Sequence, residues 1–151
     1  YRHKPFSEHY IIRPKAVQTH AENLIKRFNI SSPSLDTPSI NLSGGNQQKT
    51  VAARELSRPI RLLIASQPTR GLDIGSVEFI HSLLLQKREE NCSILLVSTE
   101  LDEIMNLSDR IAVIYKGSIR AIIHGRTAQK DKIGYLMTGG SYCNIKENNL
   151  R

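Results

Sequence analysis

The chain of 151 residues contains no tryptophan, only three phenylalanines and five tyrosines, and only two cysteines. So few aromatic rings offer little surface on which the bases of single-stranded nucleic acid could stack. The cysteines, Cys92 and Cys143, have neither CxxC nor Cys/His spacing, so we expect no metal site. Two unpaired thiols are typical of a protein in a reducing cytoplasm.

Long apolar runs are also missing. The longest, such as LLIA and ILLV, have the length of a strand, far below the ~20 residues of a membrane-spanning helix. The N-terminal residues lack the apolar core of a signal peptide and do not start with methionine, so we expect a segment of a longer protein. A content of 39% hydrophobic and 23% charged residues is typical of a globular domain.

The net charge of +7 is concentrated in the N-terminal part of the chain. Residues 1–61 carry ten Lys and Arg against four Asp and Glu, and these charges are spread rather than clustered. A solvated or partner-facing basic surface is therefore the preferred interpretation, and we expect no nucleic acid partner. A protein that acts on nucleic acid or the ribosome is kept as the alternative.

Hydrophobic periodicity and turn residues predict the order of helices and strands. Helices are expected at residues 14–28, 43–58, 75–90 and 100–108, with a weak helix near Met137. Short apolar runs predict buried strands at 61–66 and 93–98, and a hairpin at 110–123 folded around Lys116-Gly117. A strand–helix–strand unit implies parallel neighbours, so the predicted fold class is α/β.

The stretch LSGGNQQK, Leu42 to Lys49, has features of an anion-binding helix start. Ser43 can cap the helix, and Gly44 and Gly45 let a backbone approach another group closely. The unpaired N–H groups of the first turn and the helix dipole favour an anion there. The sequence nevertheless has no GxxxxGK[ST] phosphate loop, and these residues alone fit an ordinary capped helix equally well.

Two later motifs give this stretch a context, namely LLIASQPTRGLD at 62–73 and ILLVSTELDEI at 94–104. In this order the three motifs resemble the signature, the Walker B strand with its D-loop, and the switch region of an ABC transporter nucleotide-binding domain. The resemblance covers about residues 1–140 and is most similar to ATPases of simple-sugar and nucleoside importers. Those proteins carry two nucleotide-binding domains in one polypeptide, and this chain resembles the C-terminal part of the second.

The resemblance implies a partial P-loop NTPase fold in three parts. A helical subdomain at 1–57 ends in the signature helix, the C-terminal half of the ATPase core with its parallel sheet and closing hairpin occupies 58–140, and a polar tail occupies 141–151. It also implies that the start of the signature helix contacts the γ-phosphate of an ATP bound to the opposite nucleotide-binding domain. The residues are Ser43, Gly44 and Gly45, with Asn46 in place of the usual glutamine.

Further along, Asp73 matches the D-loop aspartate at the domain interface, and it is also placed to cap the helix that follows. The resemblance implies that ATP and Mg²⁺ are held mainly by the partner domain.

Three positions depart from the family pattern, and the resemblance places them at one site. Ser66 stands where the family has a Mg²⁺-binding aspartate, and a hydroxyl is a poor substitute for a carboxylate. Gln67 replaces the water-activating glutamate, and losing a general base costs about 10²–10⁴ in rate. Thr99 replaces the switch histidine. We therefore expect no intact catalytic residue in the chain's own site.

The function that the resemblance implies is an ATP-binding subunit that powers uptake of nucleosides or simple sugars. The partners would be the other nucleotide-binding domain, integral membrane permease subunits and, indirectly, an extracellular substrate-binding lipoprotein. Such a subunit lies peripherally on the cytoplasmic face of the cell membrane. The fragment alone is expected to lack ATPase activity, and an inactive truncated product is a further alternative.

Overall fold

A computed structural model describes residues 6–8 and 11–140 of the chain. Within these residues the strands are β1 (Ser7–Glu8), β2 (Ile11–Ile12), β3 (Leu62–Ser66), β4 (Ser93–Val97), β5 (Arg110–Tyr115) and β6 (Ser118–His124). The α-helices are α1 (Pro14–Arg27), α2 (Gly44–Leu56), α3 (Ile74–Glu89), α4 (Leu101–Leu107) and α5 (Lys130–Met137). Short 3₁₀ turns lie at Ser39–Asn41 and Gly125–Thr127. None of the described helices is both long and apolar enough to cross a membrane.

Contacts divide the chain into two compact units. The first runs to Leu63 and includes Pro68–Ile94, and the second consists of Ile64–Gln67 and the residues from Leu95 onward. Strands β3 and β4 are neighbours in one sheet. They run in parallel, because the Ser93 N–H donates to the Arg61 carbonyl (2.9 Å) and the Gln67 N–H to the Val97 carbonyl (2.7 Å). The predicted strand–helix–strand unit is thus present.

The first unit is built around the junction of α1, α2 and α3. Its core contains Phe28 and Ile30 after α1, and Ala53 and Leu56 on α2, with Phe79 of α3 among the apolar residues packed against it. Helix α1 begins with Pro14 at its first turn, where the fixed φ of proline suits a helix and no N–H is needed. Burial of these apolar side chains, rather than intrinsic helix propensity, holds the three helices together.

The second unit is a hairpin covered by a helix. Strands β5 and β6 pair in antiparallel register, with Arg110 opposite His124 and Tyr115 opposite Ser118. Between them Lys116 and Gly117 have φ of 47° and 76°, which is the backbone that a tight hairpin turn requires. The inward face of the hairpin packs against α5 in a core made of Ile111, Val113, Ile123, Ile133 and Leu136.

The structure confirms the predicted α/β class and the order of elements from α1 to α5. The prediction missed the β1–β2 pair, since two-residue strands leave no periodic pattern to detect. A 3₁₀ turn at Ser39–Asn41 also lies between the first two predicted helices, where no element was predicted. The division of the chain at residue 57 stays a prediction, and the tail at 141–151 with Cys143 lies outside the described residues.

Candidate functional site

The LSGGNQQK stretch lies at the start of α2. Ser43 is the N-cap, with φ −60° and ψ 155°, and its Oγ accepts a hydrogen bond from the Asn46 N–H at 3.4 Å. The first N–H groups of a helix have no partner inside the helix, and those of Gly44 and Gly45 make no hydrogen bond to another described residue. Because Ser43 and Gly44 are exposed, this helix start can receive an anion from solvent.

The two glycines of the signature have different surroundings. A Cβ placed on Gly44 would meet nothing within 4 Å. A Cβ placed on buried Gly45 would overlap Ser76 Oγ and would lie 3.2 Å from Asp73 Oδ2. Gly45 therefore allows the starts of α2 and α3 to pack closely, whereas Gly44 leaves the backbone open to a ligand.

Asp73 is the N-cap of α3. Its Oδ1 accepts from the Ser76 N–H at 2.9 Å, and its Oδ2 accepts from the Ser76 hydroxyl at 2.8 Å. The Ser76 hydroxyl first, and the Ser76 N–H second, hold the pKa of Asp73 below its ordinary value, with a smaller contribution from the charge of Lys49. The expected capping role of Asp73 is confirmed, and its role at a domain interface stays a prediction.

The second half of the signature anchors α2 inside the first unit. The Lys49 ammonium donates to the Asn29 carbonyl at 3.2 Å and lies 5.1 Å from the centre of the Phe79 ring. The Gln48 side-chain amide donates to the Pro68 carbonyl at 2.9 Å. Sequence reasoning missed these anchors, because each partner lies at least 20 positions away along the chain. They fix the helix whose first turn presents Ser43 and Gly44.

The second set of predicted residues lies in the second unit, at the ends of β3 and β4. Ser66 is the last residue of β3 and is exposed, and Gln67 follows it with a left-handed φ of 49°. Gln67 Oε1 accepts hydrogen bonds from the Thr99 N–H at 3.4 Å and from Thr99 Oγ1 at 3.3 Å. The structure thus brings Gln67 and Thr99 together. The three side chains are uncharged, so they can bind water or an anion oxygen but cannot act as a general base.

Comparison with known proteins shows which proteins are similar to this chain in fold and in sequence. No protein-family model matches the chain. Solved structures match its fold, among them the ATP-binding cassette MJ0796 in a dimeric post-hydrolysis state bound to ADP and Pi, with a TM-score of 0.66 at 22% identity over 82% of this chain and 53% of that one. The ATP-binding cassette MJ1267 matches with a TM-score of 0.64 at 20% identity, over 87% of this chain and 50% of that one. The chain therefore shares part of the fold of these ATP-binding cassettes.

The relatives found by sequence similarity belong to a narrower class of protein. The nucleoside import ATP-binding protein NupA of Lactococcus lactis is 45% identical over 141 residues, which is 93% of this chain and 28% of that protein. The guanosine import ATP-binding protein NupO of Bacillus subtilis is 43% identical over the same shares, and the ribose import ATP-binding protein RbsA of Bacillus subtilis is 41% identical over 89% and 27%. The chain is thus homologous to the ATP-binding proteins of nucleoside and sugar importers, as its motifs predicted, and spans little more than a quarter of their length.

Proposed function

We propose that the chain is the C-terminal part of the second nucleotide-binding domain of an ABC importer, and that the start of α2 completes an ATP site in trans. The observation that carries this proposal is the exposed Ser43–Gly44 corner. It presents a hydroxyl and unpaired backbone N–H groups in open space, with no carboxylate among its residues. Such pre-aimed donors suit phosphoryl transfer, in which charge stabilisation and positioning dominate.

The γ-phosphate of ATP fits this corner because the donors are neutral, exposed and aligned with a helix dipole. The dipole contributes only ~0.3–1 kcal/mol at an exposed site, so the other contacts must come from the domain that carries the phosphate loop. In this proposal Ser43 and Gly44 bind and orient the terminal phosphate. Gly45 keeps the helix start in place against α3.

The chain's own Walker B face is proposed to be a degenerate site. Ser66, Gln67 and Thr99 provide no carboxylate, so they do not fit a Mg²⁺ ion, which prefers carboxylate and water oxygens. Gln67 can orient a water but cannot take its proton. The site would therefore hydrolyse ATP poorly. Closure on the competent ATP would drive the attached permease subunits, and the names of the relatives support nucleosides or simple sugars as cargo.

The transport partners are part of the same proposal. The signature needs a second nucleotide-binding domain, and the subunit needs permease subunits, with a substrate-binding lipoprotein acting outside the cell. The subunit then works at the cytoplasmic face of the membrane. Binding to RNA instead of permease subunits in a co-sedimentation assay would favour the alternative of a protein acting on nucleic acid.

The first test uses the 151-residue chain itself. A fluorescent ATP analogue is titrated with Mg²⁺ while nucleotide hydrolysis is measured. We expect neither micromolar binding nor turnover, since the sequence has no phosphate loop. Either result by the chain alone would overturn the assignment of the competent site to another domain.

The second test uses a chimera in which this chain replaces the matching 141-residue segment of the Lactococcus lactis relative. Ser43→Arg should abolish ATP hydrolysis by filling the phosphate-facing corner, whereas Gln67→Ala should change it little. Gln18→Arg, which adds the same charge at an exposed position on α1, serves as the control. The opposite ranking of the first two variants would reverse the assignment of the two sites.

A further inference from the structure

The side chain of Asn46 has a fixed orientation. The Ser31 N–H donates to Asn46 Oδ1 at 2.8 Å. A backbone N–H can only donate, so the oxygen of the amide must face Ser31 and its nitrogen must face the opposite way. The amide nitrogen then lies 2.9 Å from Ser43 Oγ. The usual ambiguity between the two ends of an asparagine side chain does not arise here.

This orientation determines how the Ser43 hydroxyl can be used. Ser43 Oγ accepts from Asn46 Nδ2 at 2.9 Å and from the Asn46 N–H at 3.4 Å. A hydroxyl oxygen has two acceptor lone pairs and one hydrogen. With both lone pairs engaged by Asn46, the hydrogen must point away from it, and the described residues provide no acceptor for that hydrogen. Ser43 is therefore held as a donor toward solvent, at the helix start that favours an anion.

We propose that Asn46 is a positioning residue, which orients the Ser43 hydroxyl as a hydrogen-bond donor to the terminal phosphate and does not itself contact the nucleotide. The proposal rests on the trans ATP site described above, and it adds what fixes the orientation of the Ser43 hydroxyl in that site. Asn46 also joins the chain segment after α1 to the signature, because Ser31 lies 15 positions before it. The half-buried position of Asn46 behind exposed Ser43 fits this indirect role.

An aspartate at position 46 would turn the Ser43 O–H toward residue 46 instead of toward solvent. Its carboxylate can still accept from the Ser31 N–H, and an acidic residue in the first turn of a helix is favourable, so folding should be preserved. The second carboxylate oxygen, however, has no hydrogen to donate. It would accept the Ser43 O–H and turn the donor away from the phosphate. Asn46→Asp is therefore the most informative variant, provided that its negative charge is controlled for.

The test is a double-mutant cycle in the chimera, with Ser43→Ala, Asn46→Asp and the double variant, measured as kcat/KM for ATP hydrolysis at low and high salt. We expect Asn46→Asp to lower kcat/KM by about 10–100-fold when Ser43 is present, the range for losing a hydrogen bond to a charged group. In the Ser43→Ala background it should lower kcat/KM only a few-fold, by an effect of charge that salt screens. Thermal unfolding of all four proteins checks that the fold is kept.

An equal loss in both backgrounds would overturn the proposal, because Asn46 would then act through charge or structure and not through the hydroxyl. A coupling that vanishes at high salt would also overturn it. The trans ATP site itself is tested separately by Ser43→Arg and Ser43→Ala. If both leave hydrolysis unchanged, the proposed function fails. If both lower hydrolysis, but Asn46→Asp has the same effect with Ser43 and with Ser43→Ala, only the positioning role of Asn46 fails.

Discussion

The side-chain oxygen of Gln67 accepts hydrogen bonds from both the backbone N–H and the hydroxyl of Thr99, at 3.4 and 3.3 Å. In our proposal these residues occupy the positions of a water-activating glutamate and a phosphate-contacting histidine. The oxygen of Gln67 is thus already bound to Thr99, which leaves the amide nitrogen of Gln67 to orient a water. Gln67 itself has a left-handed φ of 49°. The pair therefore fits a site in which the side chains of Gln67 and Thr99 hold each other in place but supply no general base.

Restoring hydrolysis at this face should need several changes together. In the chimera carrying Ser43→Arg, which silences the competent site in our proposal, Gln67→Glu alone should give no turnover, because Ser66 still provides no carboxylate for Mg²⁺. The triple change Ser66→Asp, Gln67→Glu and Thr99→His should raise phosphate release above that background. A steady-state ATPase assay measures both. Full activity from Gln67→Glu alone would show that neither Ser66 nor Thr99 limits the site.

The two signature glycines should respond oppositely to alanine. Gly45→Ala should lower the free energy of unfolding by about 1–3 kcal/mol, because the new methyl group overlaps Ser76 Oγ at a buried position. Gly44→Ala meets nothing within 4 Å and should leave stability unchanged or slightly raised. Urea unfolding followed by circular dichroism measures both. In the Ser76→Ala background the loss caused by Gly45→Ala should be smaller, and equal stability of the two single glycine variants would contradict the close packing.

The cap on α3 should depend on pH. Because the Ser76 hydroxyl lowers the pKa of Asp73 in the folded protein, the ionised carboxylate stabilises the fold at pH values above its ordinary pKa. This contribution is lost as the pH falls from the ordinary pKa of an aspartate through the lowered pKa of Asp73. Ser76→Ala should therefore destabilise the protein near neutral pH and much less in acid. Ser82→Ala on the same helix removes a hydroxyl bonded only to the Phe79 carbonyl, so its effect on the melting temperature should not change with pH.

Much of the fold was predictable from local pattern. Apolar runs located β3 and β4, and Lys116-Gly117 located the β5–β6 turn, because a tight hairpin turn demands positive φ at both positions. The site was predictable only in part. Motif order grouped Gln67 with Thr99, but nothing in the sequence shows that Ser31 binds Asn46 or that Lys49 lies over Phe79. Such contacts arise from the packing of helices, which periodicity does not encode.

The contact between Lys49 and Phe79 should stabilise the first unit. Lys49→Met keeps the apolar stem and removes both the cation over the ring and the bond to the Asn29 carbonyl, so we expect a loss of about 1–2 kcal/mol. Lys26→Met changes an exposed lysine on α1 and should stay within about 0.5 kcal/mol. Chemical denaturation gives both values. In the Phe79→Leu background the effect of Lys49→Met should shrink, and full additivity would rule out the ring contact.

The end of α5 gives a matched pair of glycines in the second unit. Gly139 follows the helix with φ of 99°, and a Cβ there would lie 2.7 Å from the Tyr115 ring. Gly139→Ala therefore combines backbone strain with a clash against β5, and we expect a loss of about 2 kcal/mol or more. Gly134 lies inside α5, where a Cβ meets nothing within 4 Å. Gly134→Ala should stabilise the protein by about 0.5–1 kcal/mol, because alanine is the better helix former.

Thermal unfolding followed by circular dichroism, together with Tyr fluorescence, separates these two outcomes. Gly139→Ala should lower the melting temperature and alter the environment of Tyr115, while Gly134→Ala should raise the melting temperature and leave the fluorescence unchanged. Gly139→Asn provides the intermediate case, since asparagine tolerates positive φ better than alanine but keeps the Cβ. If Gly139→Ala were as stable as the parent protein, α5 would not end against Tyr115. The packing of α5 onto the β5–β6 hairpin would then need revision.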